Sequence, residues 1–153
     1  MPLIKVENLV REFPGNPPVK VLKGLSFQAG EKELITVVGA SGAGKSTFLQ
    51  IIGTLDRPTS GSVFINETQP FALSANKLAR FRNSTIGFIF QFHHLLPEFS
   101  ATENVMLPLL IHGHSPAKAS ERARELLIRL GLSERLLHKP ATMSGGEQQR
   151  VAV

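Results

Sequence analysis

The run Gly39-Ala40-Ser41-Gly42-Ala43-Gly44-Lys45-Ser46 decides the architecture of this chain. It satisfies the pattern G-x-x-x-x-G-K-[ST], and each specified residue type has a chemical reason to be there. Glycines let successive backbone N–H groups turn inward around an anion without Cβ clashes. A helix opening at the lysine points its positive end at the same anion. The Lys45 ammonium adds a point charge for β- and γ-phosphates, and the Ser46 hydroxyl is a ligand for Mg2+. Four specified positions arise by chance in roughly one chain of this length in a few hundred, so context has to confirm them. On the N-terminal side, Leu34-Ile35-Thr36-Val37-Val38 is a nearly continuous apolar run, as expected of a central strand covered on both faces. On the C-terminal side, Phe48, Ile51, Ile52 and Leu55 recur at helical spacing. Strand, glycine loop and helix together read as a nucleoside-triphosphate site rather than an ordinary glycine-rich turn.

Outward from this unit, the first thirty residues alternate apolar and polar in Ile4-Lys5-Val6-Glu7, Val19-Lys20-Val21 and Leu25-Ser26-Phe27. That period predicts strands of an antiparallel sheet with one wet face, broken by a turn at Gly15-Asn16-Pro17-Pro18. Past the helix, Asp56 to Gly61 reads as a loop and Val63-Phe64-Ile65 as a short strand. Ser74 to Arg82 reads as a helix, and Ile86-Gly87-Phe88-Ile89-Phe90 as a second buried strand. From Gln91 the pattern is helical. Ser100 and Glu103 form a capping box for a helix through Val105 and Leu107, which Pro108 ends or kinks. Ser115 caps the next helix, with Pro116 at its first position and Gly131 past its end. Its expected buried stripe is Ala119, Ala123, Leu126, Leu127 and Leu130, with a Glu125/Arg129 pair on the wet side. The class is α/β, with residues 1–90 forming a β-rich phosphate-loop core and 91–153 a helical part.

Composition narrows the alternatives. At 153 residues, 42% hydrophobic and 19% charged, the chain is globular in composition, which excludes a disordered or collagen-like one. Its apolar stretches fall far below the ~20 residues of a spanning helix. The N-terminus lacks the basic start and long apolar core of a signal peptide. Absence of cysteine excludes disulfides and thiolate metal sites. The net charge of +5 invites a nucleic-acid reading, but the excess sits in residues 74–90 and 116–139, with no Lys/Arg block longer than two residues. Solvated helix faces account for it, and no nucleic-acid partner is expected. His93-His94 and His112/His114 lack the cysteines or carboxylate cluster that a metal site requires.

A second motif stands a hundred residues downstream, Met143-Ser144-Gly145-Gly146-Glu147-Gln148-Gln149-Arg150. Ser144 and Glu147 have capping-box spacing. A cap does not need two glycines, however, and Ser-Gly-Gly at a helix start leaves bare N–H groups suited to a phosphate. With the phosphate loop, this run resembles the signature motif of ATP-binding cassette (ABC) ATPases, and the resemblance covers the whole chain. Phe13, 26 residues before Gly39, matches the family's adenine-stacking aromatic, and Gln91 matches its Q-loop glutamine. Met143 stands where the family usually has Leu, a volume-conserving swap. The runs Val21 to Phe27, Gly87 to Phe99 and Asn104 to Leu110 resemble the ATP-binding subunits of bacterial lipoprotein-releasing systems. Macrolide-export and cell-division cassettes are near relatives.

The resemblance implies a P-loop NTPase fold with an N-terminal antiparallel part, a parallel core sheet and an inserted helical subdomain. It implies ATP and Mg2+ as ligands, with Phe13 on the adenine and Gly39, Ala40, Ser41, Gly42, Ala43, Gly44, Lys45, Ser46 and Thr47 on the phosphates. Ser144, Gly145, Gly146 and Glu147 would close on the γ-phosphate of a second cassette, paired head to tail. Ser46 and Gln91 would touch the metal, and Lys45 and Gln91 would serve the chemistry. Membrane permease subunits would dock on the segment after Gln91, placing the chain peripherally on the cytoplasmic side of the inner membrane. The family places an acidic strand end, a catalytic Glu and a switch His beyond the signature helix, and residues 1–153 contain none of them. The expectation is therefore a partial nucleotide-binding domain that binds ATP and hydrolyses it at background rates. A non-transport ABC ATPase carries a long insertion between the two motifs, for which a hundred residues leave no room. A nucleotide-binding remnant without activity is the remaining alternative.

Overall fold

The alternating N-terminal sequence forms two long strands, β1 (Ile4–Phe13) and β2 (Val19–Ala29), in the computed structural model, which describes residues 2–153. They pair antiparallel from Ile4↔Ala29 to Phe13↔Val19. Strand β3 (Ser60–Ile65) pairs antiparallel with the other edge of β1, giving the order β2-β1-β3. Val6, Leu9, Leu22, Val63 and Ile65 are buried, so one face of this sheet carries the core. Helix α1 (Lys45–Ile52) buries Phe48 and Ile51. The Phe48 ring meets Phe27 of β2 edge-on, with centroids 5.8 Å apart. Such aromatic pairs add to the area they bury.

The chain divides into two compact units, Met1–Arg82 and Asn83–Val153, with the division inside helix α2 (Ala75–Thr85). In the first unit, Arg82 donates to the side chain and backbone carbonyl of buried Thr54 at 3.1 and 2.7 Å, tying α2 to the turn after α1. The second unit holds α3 (Ala101–His112), α4 (Pro116–Arg129) and α5 (Gly145–Ala152). Its core is Ala101, Leu127, Leu132, Met143 and Val151, with Leu95, Val105 and Leu136 packed against it. Met143 fills a core position, as a residue of leucine volume can.

Several expectations are corrected. Leu34–Val38 and Ile86–Phe90 lie outside any strand, so no parallel pair forms among the described residues. Leu34 is 98% and Val38 81% exposed, where a covered central strand was expected. Both segments have strand composition, but a strand exists only with a hydrogen-bonded neighbour, and β1, β2 and β3 pair only with one another. Pro108 does not end its helix: α3 runs through it to His112. A proline removes one N–H from the ladder, and the helix continues because its first turn is fixed by Ser100 and Glu103 and its end by Gly113 at φ 101°. In α4 the buried stripe is Ala119, Ala123 and Leu127, while Leu130 is exposed beyond the last turn. Glu125 pairs with Arg122 at 2.6 Å and not with Arg129.

Candidate nucleotide-binding site

The phosphate loop spans residues 39–44 and opens directly into α1. Gly44 is the N-cap residue at φ 89°, and no side chain accepts from the first-turn amides of the helix. A Cβ on Gly44 would stand 2.8 Å from Val21 Cγ1 and 3.3 Å from the Val21 carbonyl oxygen. Only glycine satisfies both the left-handed backbone and that approach. Val21 is the residue that the β1–β2 register skips between Lys20 and Leu22. The loop is thereby seated against an irregularity in β2, two residues from Val19, the partner of Phe13.

Lys45 folds back over the loop, its Nζ donating to the carbonyls of Gly39 and Ala40 at 2.8 and 2.7 Å. Ala43 N donates to Ala40 O at 3.2 Å, which closes the loop into a single turn. Ala40, Ser41, Gly42, Ala43 and Ser46 are exposed. The result is a set of unoccupied backbone donors beside one ammonium at a helix N-terminus. A polyphosphate fits such donors. The exposed Ser46 hydroxyl suits a hard cation that keeps water and phosphate oxygens as its other ligands. Phe13 ends β1 and is 36% exposed, with the Arg11 guanidinium over its ring at 4.4 Å.

Gln91 and the signature run lie in the second unit. Gln91 is exposed in a bend. Ser144 caps α5 in a reciprocal box: Glu147 N donates to Ser144 Oγ at 3.3 Å, and Ser144 N donates to Glu147 Oε2 at 2.7 Å. Arg135 Nε donates to the other carboxylate oxygen at 2.8 Å. The Ser144 amide, then Arg135, then the Ser144 hydroxyl hold the Glu147 carboxyl down to about 2. Gln148 donates to the carbonyls of Pro140 and Met143 at 2.9 and 3.0 Å, securing the approach to the cap. Gly145 and Gly146 are exposed, and a Cβ on either would meet nothing within 4 Å. Neither glycine is required by packing, and neither has positive φ. Both cost helix propensity with no return inside this chain.

Four of the histidine side chains make contacts within the second unit. His93 Nδ1 shares a 2.9 Å hydrogen bond with Gln149 Oε1, joining the segment after Gln91 to α5. His94 meets Phe90 edge-on, and His112 bonds Asn83 and stacks on His114. Among the described residues, no three His, Asp or Glu side chains group as a metal site. An apolar cavity of about 770 Å3 opens between the Phe88–Phe90 segment, Leu107, Leu126 and Val151. Sequence reading did not single out Arg135, His93 as a partner of α5, or Arg11. Their partners lie 12, 56 and 45 residues away, and no local pattern encodes such contacts.

A family model described as ABC transporter matches residues 22–153. The lipoprotein-releasing system ATP-binding protein LolD of Geobacter metallireducens is 57% identical over 152 residues, covering 99% of this chain and 68% of that protein. The corresponding LolD of Idiomarina loihiensis is 49% identical, with 99% and 67% covered. Among solved structures, the ATP-binding cassette MJ0796, in a dimeric post-hydrolysis state bound to ADP and Pi, superposes with a TM-score of 0.89 at 38% identity. That match covers 97% of this chain and 66% of the cassette. The chain thus spans about two thirds of the length of these relatives. No helix among the described residues is long and apolar enough to cross a membrane.

Proposed function

This chain belongs to the ABC transporter family of ATP-binding domains, and from that premise we propose that it is the ATP-binding part of a lipoprotein-releasing transporter. The observation that carries the nucleotide reading is the uncapped start of α1, where Gly44 leaves the helix amides bare and Lys45 hangs over the same loop. Residues 39–47 would hold the phosphates of ATP, Phe13 would stack on its adenine, and Ser46 would hold Mg2+; Gln91 is assigned to the same ion by the family resemblance alone. When bound, the metal supplies charge neutralisation of the phosphates. The chain's own work is to bind and orient. Lys45 exchanges two loop carbonyls for phosphate oxygens, and the family resemblance alone assigns Gln91 to the attacking water.

The signature segment, Ser144 to Glu147, is assigned to the nucleotide held by a second cassette. Support comes from Gly145 and Gly146, whose lack of bulk answers to nothing within this chain, and from the dimeric state of MJ0796. Two cassettes pair head to tail, so that each phosphate loop faces the partner's signature. Glu147 is committed to Ser144 and Arg135, so its role is to hold the cap, not to act as a base. Permease subunits dock near the exposed Gln91–Phe92 segment on the cytoplasmic side of the inner membrane. The cargo reading rests on the names of the relatives at 49–57% identity; macrolide-export and cell-division cassettes are the competing assignment. Co-purification from membranes with permease subunits, identified by mass spectrometry, tests it. Recovery with a lipoprotein-releasing permease is the expected result, and recovery with an export permease overturns the cargo assignment.

A further inference from the structure

Arg11 and Asp56 form an ion pair whose guanidinium lies over the one aromatic ring assigned to the nucleobase. Arg11 Nη2 donates to Asp56 Oδ1 at 3.0 Å, and Nε lies 2.9 Å from Oδ2. Both side chains are half-buried, at 22% and 28% exposure. Asp56 is itself fixed, since Oδ1 also accepts from the Arg57 amide at 2.8 Å. The strand beneath is pinned on both sides: Phe13 pairs with Val19, and the Glu12 amide donates to Thr59 Oγ1 at 2.9 Å. Arg11 and Phe13 stand two residues apart on β1, the spacing that puts side chains on one face of a strand. Arg11 Cζ then reaches 4.4 Å from the Phe13 ring centroid.

We propose that Arg11, held by Asp56, is the positioning residue for purine stacking on Phe13: it covers one ring face and leaves the other for the base. The inference rests on Phe13 being the nucleobase residue and goes beyond it. An exposed ring at a strand end is free to turn about two side-chain torsions. A cation fixed over one face sets the ring plane without burying the ring. It also draws π-density toward itself, so the opposite face accepts an electron-rich purine more readily. A surface ion pair that merely ties β1 to the loop after α1 is the plainer account, and such pairs contribute little. The two accounts differ in which ligand they touch.

The test compares MgATP with Mg-tripolyphosphate, which shares the phosphates and lacks the base, by calorimetric titration of the 153-residue chain. The variants are Arg11→Gln, Arg11→Lys and Asp56→Asn, with Phe13→Ala as the reference for lost stacking. Arg11→Gln and Asp56→Asn are each expected to weaken ATP about fivefold, the scale of one cation–π contact, with tripolyphosphate unchanged. Arg11→Lys keeps the charge but not the planar fork, and is expected to fall between the parent and Arg11→Gln. An equal loss on both ligands means the pair is structural and overturns the proposal. Unchanged ATP affinity in the variants overturns it as well. Tighter ATP binding means that the guanidinium occupies the base's own face, which also overturns it. If Phe13→Ala leaves the ratio of the two affinities unaltered, the assignment of Phe13 to the base has failed. That outcome is read from a separate variant, so the two failures are distinguishable.

Discussion

Arg135 and Glu147, twelve residues apart, meet through a 2.8 Å contact from Nε to Oε1, while the other carboxylate oxygen accepts from the backbone of Ser144. One carboxylate thereby holds the N-terminus of α5 and fixes it to the turn before it. The carboxyl is lowered from 4.5 to about 2 in the folded chain, first by the Ser144 amide and then by Arg135. Its stabilisation is complete above pH 4.5 and is lost as the pH falls toward 2. Protection of the Glu147 and Gln148 amides against hydrogen exchange, taken relative to the intrinsic rate at each pH, is expected to fall over that window in the parent chain. Glu147→Gln is expected to exchange faster already at pH 6, with a flatter acid response. An identical pH profile in parent and variant would sink the assignment.

Lys45 makes two contacts to loop carbonyls, and in the proposed reading it exchanges them for phosphate contacts when nucleotide binds. Hydrogen bonds to a charged group contribute about 1.5–3 kcal/mol, so Lys45→Ala is expected to weaken MgATP roughly 10- to 100-fold. Its thermal unfolding without nucleotide is expected to stay close to the parent, because both contacts are exposed. Competition against a fluorescent nucleotide reads the affinity. Parent-like binding by the variant contradicts the phosphate-loop reading.

Glycines at the two motifs are expected to behave oppositely. Gly44→Ala forces a Cβ to 2.8 Å from Val21 Cγ1 at a left-handed backbone, with an expected loss of about 2–4 kcal/mol in stability. Gly146→Ala meets open space and improves helix propensity, so its folding stability is expected to rise by up to about 0.5 kcal/mol. Urea unfolding of both variants checks the contrast. A destabilised Gly146→Ala chain means that this glycine serves the fold, and the partner-contact reading fails.

Leu34, Ile35 and Val38 are exposed in an extended segment without ladder partners. Unpaired apolar strand sequence is a template for intermolecular pairing. The 153-residue chain is expected to self-associate at micromolar concentration, and Leu34→Lys combined with Val38→Lys to shift it toward monomer in sedimentation velocity. A monomeric parent, or a double variant as associated as the parent, rules this out.

Local chemistry was legible in the sequence, and long-range pairing was not. The glycine loop opening into α1, the strands β1 and β2, and the Ser100, Ser115 and Ser144 caps are each written in a short stretch of sequence, and each element forms there. Leu34–Val38 and Ile86–Phe90 have the composition of buried strands, yet burial comes from neighbours that their own residues do not specify. Pro108 shows a related limit: a single helix-breaking residue lost to two well-made ends. At the candidate site, the glycines and Lys45 were readable as a pattern. The contacts that orient the remainder, Arg11 on Phe13, Arg135 on Glu147 and His93 on Gln149, join elements through folding alone.

The phosphate loop is a door hung on one hinge. On the α1 side it is anchored by Phe48 and Ile51 in the core and by Gly44 against Val21. On the other side it runs back into an unpaired, solvent-facing segment. A nucleotide that grips the loop therefore grips a structure whose leading residues, 34–38, have no ladder partner behind them. Any strand that came to lie beside them would tighten ATP without touching it.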